Sequence, residues 1–281
     1  MTNNSIKSVL QEAQAKLAGI SDTPTLDSEL LLAFCLNKHR SYLYTWPENE
    51  VNKEQLLKFN ALFEKRLSDY PIAYLLGTKA FWTLDLFVTP DVLIPRPETE
   101  LLVEIALSKI ENIEKPKILD LGTGSGAIAL ALASERIDAK ITACDYSKNA
   151  LKIAKKNAEF NGLDQQVDFI ESDWFSNIKN ENFDLIVSNP PYIAEADPHL
   201  LQTIRYEPQT ALIAKNDGMS DIELIIKNSS KYLKKDGWIL IEHGYQQGNK
   251  TLMLYSKHNY KNGITLLDIN NNPRISIAQY D

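Results

Sequence analysis

Asn189-Pro190-Pro191-Tyr192 joins a side-chain amide, two rigid prolines and an aromatic ring, a set of groups suited to gripping a flat nitrogen-bearing group. An amide or amino nitrogen is a poor nucleophile because its lone pair is delocalised, and its neutral N–H is too weakly acidic for a nearby base to remove. Two acceptors that take its two N–H groups can instead localise the lone pair and aim it at an electrophilic carbon. The Asn189 side-chain oxygen and the Pro190 carbonyl can serve as those acceptors. Proline fixes φ and carries no N–H, so the pair stiffens the loop, while Tyr192 can stack on the flat face of the bound group. Pre-positioning of this kind contributes roughly 7–11 kcal/mol in the best intramolecular cases.

A second segment, Asp120-Leu121-Gly122-Thr123-Gly124-Ser125-Gly126, lies upstream. Its glycines allow a tight turn and close approach of backbone to a ligand. Asp145, at the end of the next apolar run, is positioned to accept from ribose hydroxyls. This geometry suits any adenosine cofactor, and Gly122, Gly124 and Ala127 also satisfy the dinucleotide fingerprint. Asp120 shifts the balance toward S-adenosylmethionine. An acid before the glycines attracts its cationic amino end, whereas the same carboxylate would repel a pyrophosphate. Asp173-Trp174 falls where an adenine would lie, with Asp173 to accept from its amino group and Trp174 to pack on the ring. The same pair would equally serve as a helix N-cap and a half-buried aromatic. Together the segments point to methyl transfer onto an NH2 group.

The elements that must position these residues alternate. Strands are expected over Lys117–Leu121, Lys140–Asp145, Val167–Glu171, Phe183–Ser188, Trp238–Glu242, Thr265–Asp268 and Arg274–Tyr280, with helices near Ala127–Ser134, Ala150–Asn161, Asp221–Leu233 and Tyr245–Ser256. Alternation of this kind indicates βαβ units and a doubly wound α/β sheet. In such sheets ligands bind beyond the carboxyl ends of the strands, the edge where both segments fall. Phe81 to Val88 alternates and suits a strand or hairpin, and Pro97 can open a helix running to Lys109. The first 80 or so residues show helical patterns only. Ile6, Val9, Leu10, Ala13 and Leu17 keep helical spacing, and Leu26 to Leu36 forms a second helix whose Asp27 and Glu29 suit its positive end. Asn52 with Gln55 forms a capping box for a helix to about Asp69, and Pro71 starts a short helix ending at Gly77.

The 281 residues carry a net charge of −7 and a hydrophobic content of 44%, with a pI near 5.3. Nothing here resembles a broad phosphate-binding surface, so direct nucleic-acid binding is not expected. Cys35 and Cys144 lie apart inside apolar runs and read as reduced core thiols. No metal-spaced Cys/His cluster, apolar leader or membrane-length run is present, so a cytoplasmic protein with no metal and no membrane association is expected. His39, His199 and His258 have no partner pattern. His243 packs or caps at the end of its strand in the simplest reading. Arg96 and Glu98 either line a substrate entrance or begin a helix, and Glu207 could shape a pocket wall.

The chain resembles the peptide chain release factor glutamine methyltransferases, the HemK/PrmC family. The likeness is carried by Thr25 to Leu32, Tyr74-Leu75-Leu76-Gly77, Leu93-Ile94-Pro95-Arg96-Pro97-Glu98-Thr99-Glu100, Asp120 to Ile128, Asn189 to Ile193, Tyr206-Glu207-Pro208 and Glu242 to Gly248. The resemblance implies a Rossmann-like, seven-stranded class I methyltransferase sheet with a small N-terminal helical domain. It divides the chain into a substrate-recognition domain over residues 1–78, a hairpin or linker over 79–96 and a methyltransferase domain over 97–281. It also implies methylation of the glutamine in a release factor's Gly-Gly-Gln tip. By that likeness Gly122, Thr123, Gly124, Ser125, Gly126, Asp145, Trp174 and Asn189 would contact S-adenosylmethionine, and Asn189, Pro190, Pro191 and Tyr192 the glutamine. Methylation of a ribosomal-protein glutamine would share this chemistry. Adenine-amino methylation of DNA, which also uses Asn-Pro-Pro-Tyr, would need base flipping and phosphate contacts that an acidic chain is poorly suited to make. A nicotinamide-dependent oxidoreductase and a catalytically silent binding module complete the alternatives.

Overall fold

The computed structural model describes residues 4–179, 182–197 and 203–281, which leaves His199 outside it. The chain divides into two compact units, Met1–Gly77 and Thr78–Asp281. In the first, helix α1 (Ile6–Leu17) is capped by Ser5, whose side chain accepts from the Ser8 N–H at 3.3 Å, and it buries Ile6, Val9, Ala13 and Leu17 on one face. Helix α2 (Pro24–Leu36) follows, then α3 (Ser41–Thr45), α4 (Lys53–Leu67) and α5 (Ile72–Leu76). The capping box forms as expected: Asn52 Oδ1 accepts from the Gln55 N–H at 2.9 Å, and Gln55 Oε1 accepts from the Asn52 N–H at 3.1 Å. Asp27 and Glu29 do more than complement a helix dipole. Both are buried, Asp27 accepting from Arg66 at 2.7 Å and Glu29 from Arg40 at 2.7 Å. A buried carboxylate needs a partner of this kind, because removing one member of such a pair costs ~3–5 kcal/mol.

The second unit begins with a hairpin, β1 (Thr78–Phe81) and β2 (Leu84–Phe87), followed by a 3-10 turn, Pro97–Thr99, and helix α6 (Glu100–Ile110). Strands β3 (Lys117–Leu121), β4 (Lys140–Asp145), β5 (Val167–Glu171) and β6 (Phe183–Ser188) follow, with helices α7 (Ala127–Glu135) and α8 (Lys148–Phe160) between the first three. A two-residue pair, β7 (Ile193–Ala194) and β8 (Ile213–Ala214), precedes a helix over Ser220–Ser229 and strand β9 (Leu233–Glu242). A helix over Gly248–Lys257 leads to β10 (Tyr260–Leu267) and β11 (Pro273–Tyr280). The seven-stranded sheet has the order β10-β11-β9-β6-β3-β4-β5. Pairing is parallel from β9 through β6, β3 and β4 to β5, and β11 runs antiparallel between β9 and β10. Its central strands are buried on both faces, as helices on both sides require: all six β6 residues are buried, and four of them pair with β3 residues Ile118, Leu119, Asp120 and Leu121 at 0% exposure.

Three element boundaries lie furthest from the sequence expectation, each where pairing overrides local polarity. The helix expected to reach Leu233 stops at Ser229, because Leu233 pairs with Phe183 of β6. Strand β9 therefore begins before Lys234-Lys235-Asp236-Gly237, a polar stretch with Asp236 at φ 63° that reads as a turn in sequence. Strand β10 starts at Tyr260 and absorbs Asn262 (φ 56°) as an irregularity in its register with β11. No helix among the described residues is long and apolar enough to cross a membrane.

Candidate active site

The sheet order reverses at β3 and β6: from β3 the chain runs outward through β4 and β5, then returns to place β6 on the other side. A crevice opens beyond the strand ends at such a switch point. The β3–β6 register pairs Leu121 with Ser188, and the Ser188 hydroxyl donates to the Leu121 carbonyl at 2.7 Å. Gly122 and Asn189 are the next residues on each strand, so the two segments singled out by their chemistry emerge side by side.

Gly122 (φ 74°) and Thr123 both donate their N–H to the Cys144 carbonyl at 2.9 Å, which folds the loop back over β4. A cavity of about 470 Å³ lies here, lined by Gly122, Gly124, Asp145, Asp173, Trp174, Asn189 and Pro191, among others. Asp145 has two duties: Oδ2 accepts from the Gly124 N–H and Oδ1 from the Ser147 N–H, each at 2.8 Å. It thus ties the glycine loop to the start of α8 while facing the cavity with its remaining lone pairs. Burial raises its pKa, and the N–H groups of Ser147, Gly124 and Tyr146 oppose that shift. Thr123, Ser125 and Gly126 do not line the cavity. Thr123 turns inward to Asp120, the Ser125 carbonyl accepts from Asn157 Nδ2 at 2.8 Å, and Gly126 lets α7 pack closely on α8. A Cβ at Gly126 would stand 3.3 Å from that of Ala154. Trp174 brings its ring edge to 3.4 Å from where a Gly122 Cβ would be, so a side chain at Gly122 would press on this wall.

Asp120 does not open on the cavity. It is wholly buried beneath the loop, and its Oδ2 accepts from the Thr123 hydroxyl at 2.6 Å. Burial pushes its carboxyl up to about 7, with Thr123 and a backbone N–H opposing. The electrostatic case for a cationic ligand rests instead on the cavity wall. Asp91, Asp145, Asp173 and Asp221 line it, with no lysine, arginine or histidine among the described lining residues. A pyrophosphate would meet four carboxylates and no countercharge. A sulfonium and an ammonium group would be attracted, so the donor set fits S-adenosylmethionine and not a dinucleotide.

Asn189 lines this cavity and also a second one of about 270 Å³, with Leu93, Arg96, Tyr192, Ile193 and Leu212. The Asn189 Nδ2 donates to Thr99 Oγ1 at 3.2 Å, which leaves Oδ1 free to accept. Pro190 is buried and Pro191 lines the first cavity. Arg96 sits in the second cavity's wall, ion-paired to buried Glu207, which also accepts from the Ile94 N–H at 3.0 Å. Glu98 lies in the 3-10 turn before α6.

Several residues that hold this loop escape sequence reasoning. Gln247 accepts from the Gly244 N–H at 2.9 Å and donates to the Tyr192 carbonyl at 3.0 Å and the Asp217 carbonyl at 3.1 Å. Gly218, at φ 80°, passes so close to Tyr192 that an added Cβ would lie 2.0 Å from its carbonyl oxygen. The Glu242-to-Gly248 segment was a sequence signal for Gln247, and Gly218 had none. His243 is fully buried: its Nδ1–H donates to the Gly244 carbonyl at 2.9 Å and its Nε2 accepts from the Ser276 hydroxyl at 2.7 Å. Burial lowers its pKa, and both ring nitrogens are committed, so no base is offered to the cavity.

The chain matches two family models, one described as "Methyltransferase small domain" over residues 98–262 and one as "PrmC N-terminal domain" over residues 8–77. It is 46% identical to a release factor glutamine methyltransferase of Shewanella oneidensis, over 98% of this chain and 96% of that one. With the protein of the same name from Escherichia coli (strain K12) it shares 43% identity, over 96% and 97%. The fold is similar to that of a solved methyltransferase from Pyrococcus furiosus, with a TM-score of 0.53 at 18% identity over 72% of this chain and 91% of that one. With a glycine loop and an Asn-Pro-Pro-Tyr loop abutting at one switch point, and relatives this similar over nearly the whole length, the chain belongs to the release factor glutamine methyltransferase family.

Proposed function

We propose that this enzyme transfers a methyl group from S-adenosylmethionine to the side-chain amide nitrogen of the glutamine in the Gly-Gly-Gln motif of a peptide chain release factor. The observation that carries the reading is the position of Asn189 on the wall of both cavities, its Oδ1 free. S-adenosylmethionine supplies, when bound, a methyl carbon on a cationic sulfur. Asp145 and the glycine loop grip its ribose side, with Gly122 to Gly126 shaping the backbone, and Asp173 and Trp174 flank the base. At the second cavity the Asn189 oxygen and the Pro190 carbonyl take the two N–H groups of the glutamine amide and Tyr192 confines its plane, while Pro191 closes on the group from the wall of the first cavity. The buried, doubly bonded His243 supports a mechanism in which no base acts before methyl transfer.

Residues 1–78 recognise the protein substrate, 79–96 form a hairpin and linker, and 97–281 carry the chemistry. The net charge of −7 supports a protein substrate over a nucleic acid or membrane surface, and the expected location is the cytoplasm. Incubation with labelled S-adenosylmethionine and a release factor, a ribosomal protein or DNA, followed by mass mapping, tests the reading. Label on the release-factor glutamine is expected, and label confined to either other substrate refutes it. Asn189→Ala should lower kcat roughly 100- to 1,000-fold, by analogy with losing one preorganised oxyanion donor.

A further inference from the structure

The amide of Asn189 has nearly the same shape whichever way round it sits, but only one orientation suits the reaction. With the oxygen toward the substrate, it accepts from the reacting NH2 group. Flipped, it would confront that group with a second donor. Something must decide between the two.

Three residues remote in sequence meet here. Thr99, in the Pro97–Thr99 turn, is buried and lies 3.2 Å from Asn189 Nδ2. Glu242 ends β9, and the β6–β9 register of Ser188 with Ile241 sets it beside Asn189. Its carboxylate is 1% exposed, its Oε1 meets the Tyr192 hydroxyl only at 3.5 Å, and its Oε2 has no hydrogen-bond partner. Burial pushes its carboxyl up to about 7, and the nearby Thr99 and Asn189 side chains oppose that shift. Arg274, which also attracts it, is ion-paired to Asp268 at 3.5 Å. A buried carboxylate with so little compensation is costly, and this one stands at the reaction centre.

We propose that Glu242 and Thr99 are positioning residues that hold the Asn189 amide with its oxygen toward the reacting NH2 group. The inference rests on the reading that Asn189 accepts from that group. Above about pH 7 the Glu242 carboxyl is ionised and can only accept, whereas a hydroxyl has one proton and two lone pairs. The unpartnered Glu242 oxygen is the acceptor on offer to the Thr99 proton, which leaves Thr99 a lone pair to accept from Asn189 Nδ2. The chain of bonds runs one way and fixes which end of the amide faces out. It gives Thr99 of Pro-Arg-Pro-Glu-Thr-Glu and Glu242 of Glu-His-Gly a shared purpose.

The test is steady-state kinetics of release-factor methylation by the full-length enzyme and its Thr99→Val, Thr99→Ser, Glu242→Gln, Asn189→Ala and Asn189→Ala/Thr99→Val variants. Calorimetric binding of S-adenosylmethionine and thermal unfolding serve as folding controls. Thr99→Val should lower kcat about tenfold or more while the cofactor's Kd stays within about threefold, the mark of an interaction made at the transition state. Thr99→Ser should restore kcat to within about threefold of wild type, and Glu242→Gln should lower it in the same direction. In the Asn189→Ala background Thr99→Val should change kcat less than about twofold, because a residue acting through a missing partner has nothing left to position. Full kcat in Thr99→Val, or the same fold-loss in both backgrounds, overturns the proposal. Should Glu242→Gln fail to fold, the Thr99 series decides alone; should Thr99→Val fail, Thr99→Ala takes its place in the same cycle. A wild-type enzyme that leaves the release-factor glutamine unmethylated would instead overturn the parent reading.

Discussion

Asp145 is the position where a single change separates loop stability from ligand affinity. Both carboxylate oxygens already accept from backbone, Oδ2 from Gly124 and Oδ1 from Ser147, at 2.8 Å each. Hydrogen bonds to a charged group contribute ~1.5–3 kcal/mol each. Asp145→Ala removes that acceptor from two N–H groups of the unliganded protein, so its unfolding free energy should drop by ~3–6 kcal/mol. If the outward lone pairs also receive a ribose hydroxyl, affinity for S-adenosylmethionine falls by a further ~1.5–3 kcal/mol, or roughly 10- to 150-fold in Kd. Asp145→Asn is the sharper probe. An amide has one oxygen, so its NH2 must face one of the two backbone donors. The isosteric change should therefore weaken binding nearly as much as alanine does. Titration calorimetry of both variants, beside thermal unfolding without ligand, reads the two effects separately. A Kd within about twofold of wild type for Asp145→Ala, in a variant that still folds, would refute the placement of the cofactor against this carboxylate.

Four further outcomes are expected. Asn189→Asp keeps an acceptor but adds negative charge beside the sulfonium, which favours the cationic ground state, so single-turnover methyl transfer should slow while cofactor binding holds or tightens. Gly218→Ala should depress both the unfolding temperature and kcat, because its Cβ would lie 2.0 Å from the Tyr192 carbonyl oxygen at a φ of 80°; unchanged kcat would mean that the loop does not need this contact. Asp120→Asn tests the buried carboxyl: its folded pKa of about 7 lies above the ordinary 3.8, so wild-type stability from this group is full below 3.8 and is lost as pH rises toward 7. The unliganded variant should match wild type in thermal unfolding at low pH and exceed it above neutrality, and a gap that opened instead toward acid would reverse the argument. In the helical unit, Trp46 and Leu57 are 53% and 63% exposed, and replacing both with alanine should raise KM for the release factor and leave the Kd for S-adenosylmethionine unchanged.

Much of the architecture was legible from local pattern. The edges of β3, β4, β5 and β6 fall where the expected runs begin and end, since strands covered by helices are rich in apolar residues along most of their length. The Asn52 capping box and the Gly77 cap at φ 75° needed only neighbours a few residues away. The fold class followed from alternation of elements, and the chemistry of the site from the residue types in two short segments. What remained hidden depends on which strand ends lie together. Thr99 reaches Asn189 across 90 positions, and Tyr192 reaches Glu242 across 50. Sheet order, not spacing, sets those meetings. Asp120 carries the same limit in reverse: as a residue it looked like a ligand for a cation, but packing beneath the glycine loop turned its carboxylate inward to Thr123. A side chain's type can be read in one dimension. Its depth, its partner and the face it presents are fixed only when distant segments bury one another, because burial and hydrogen bonding act between neighbours in space.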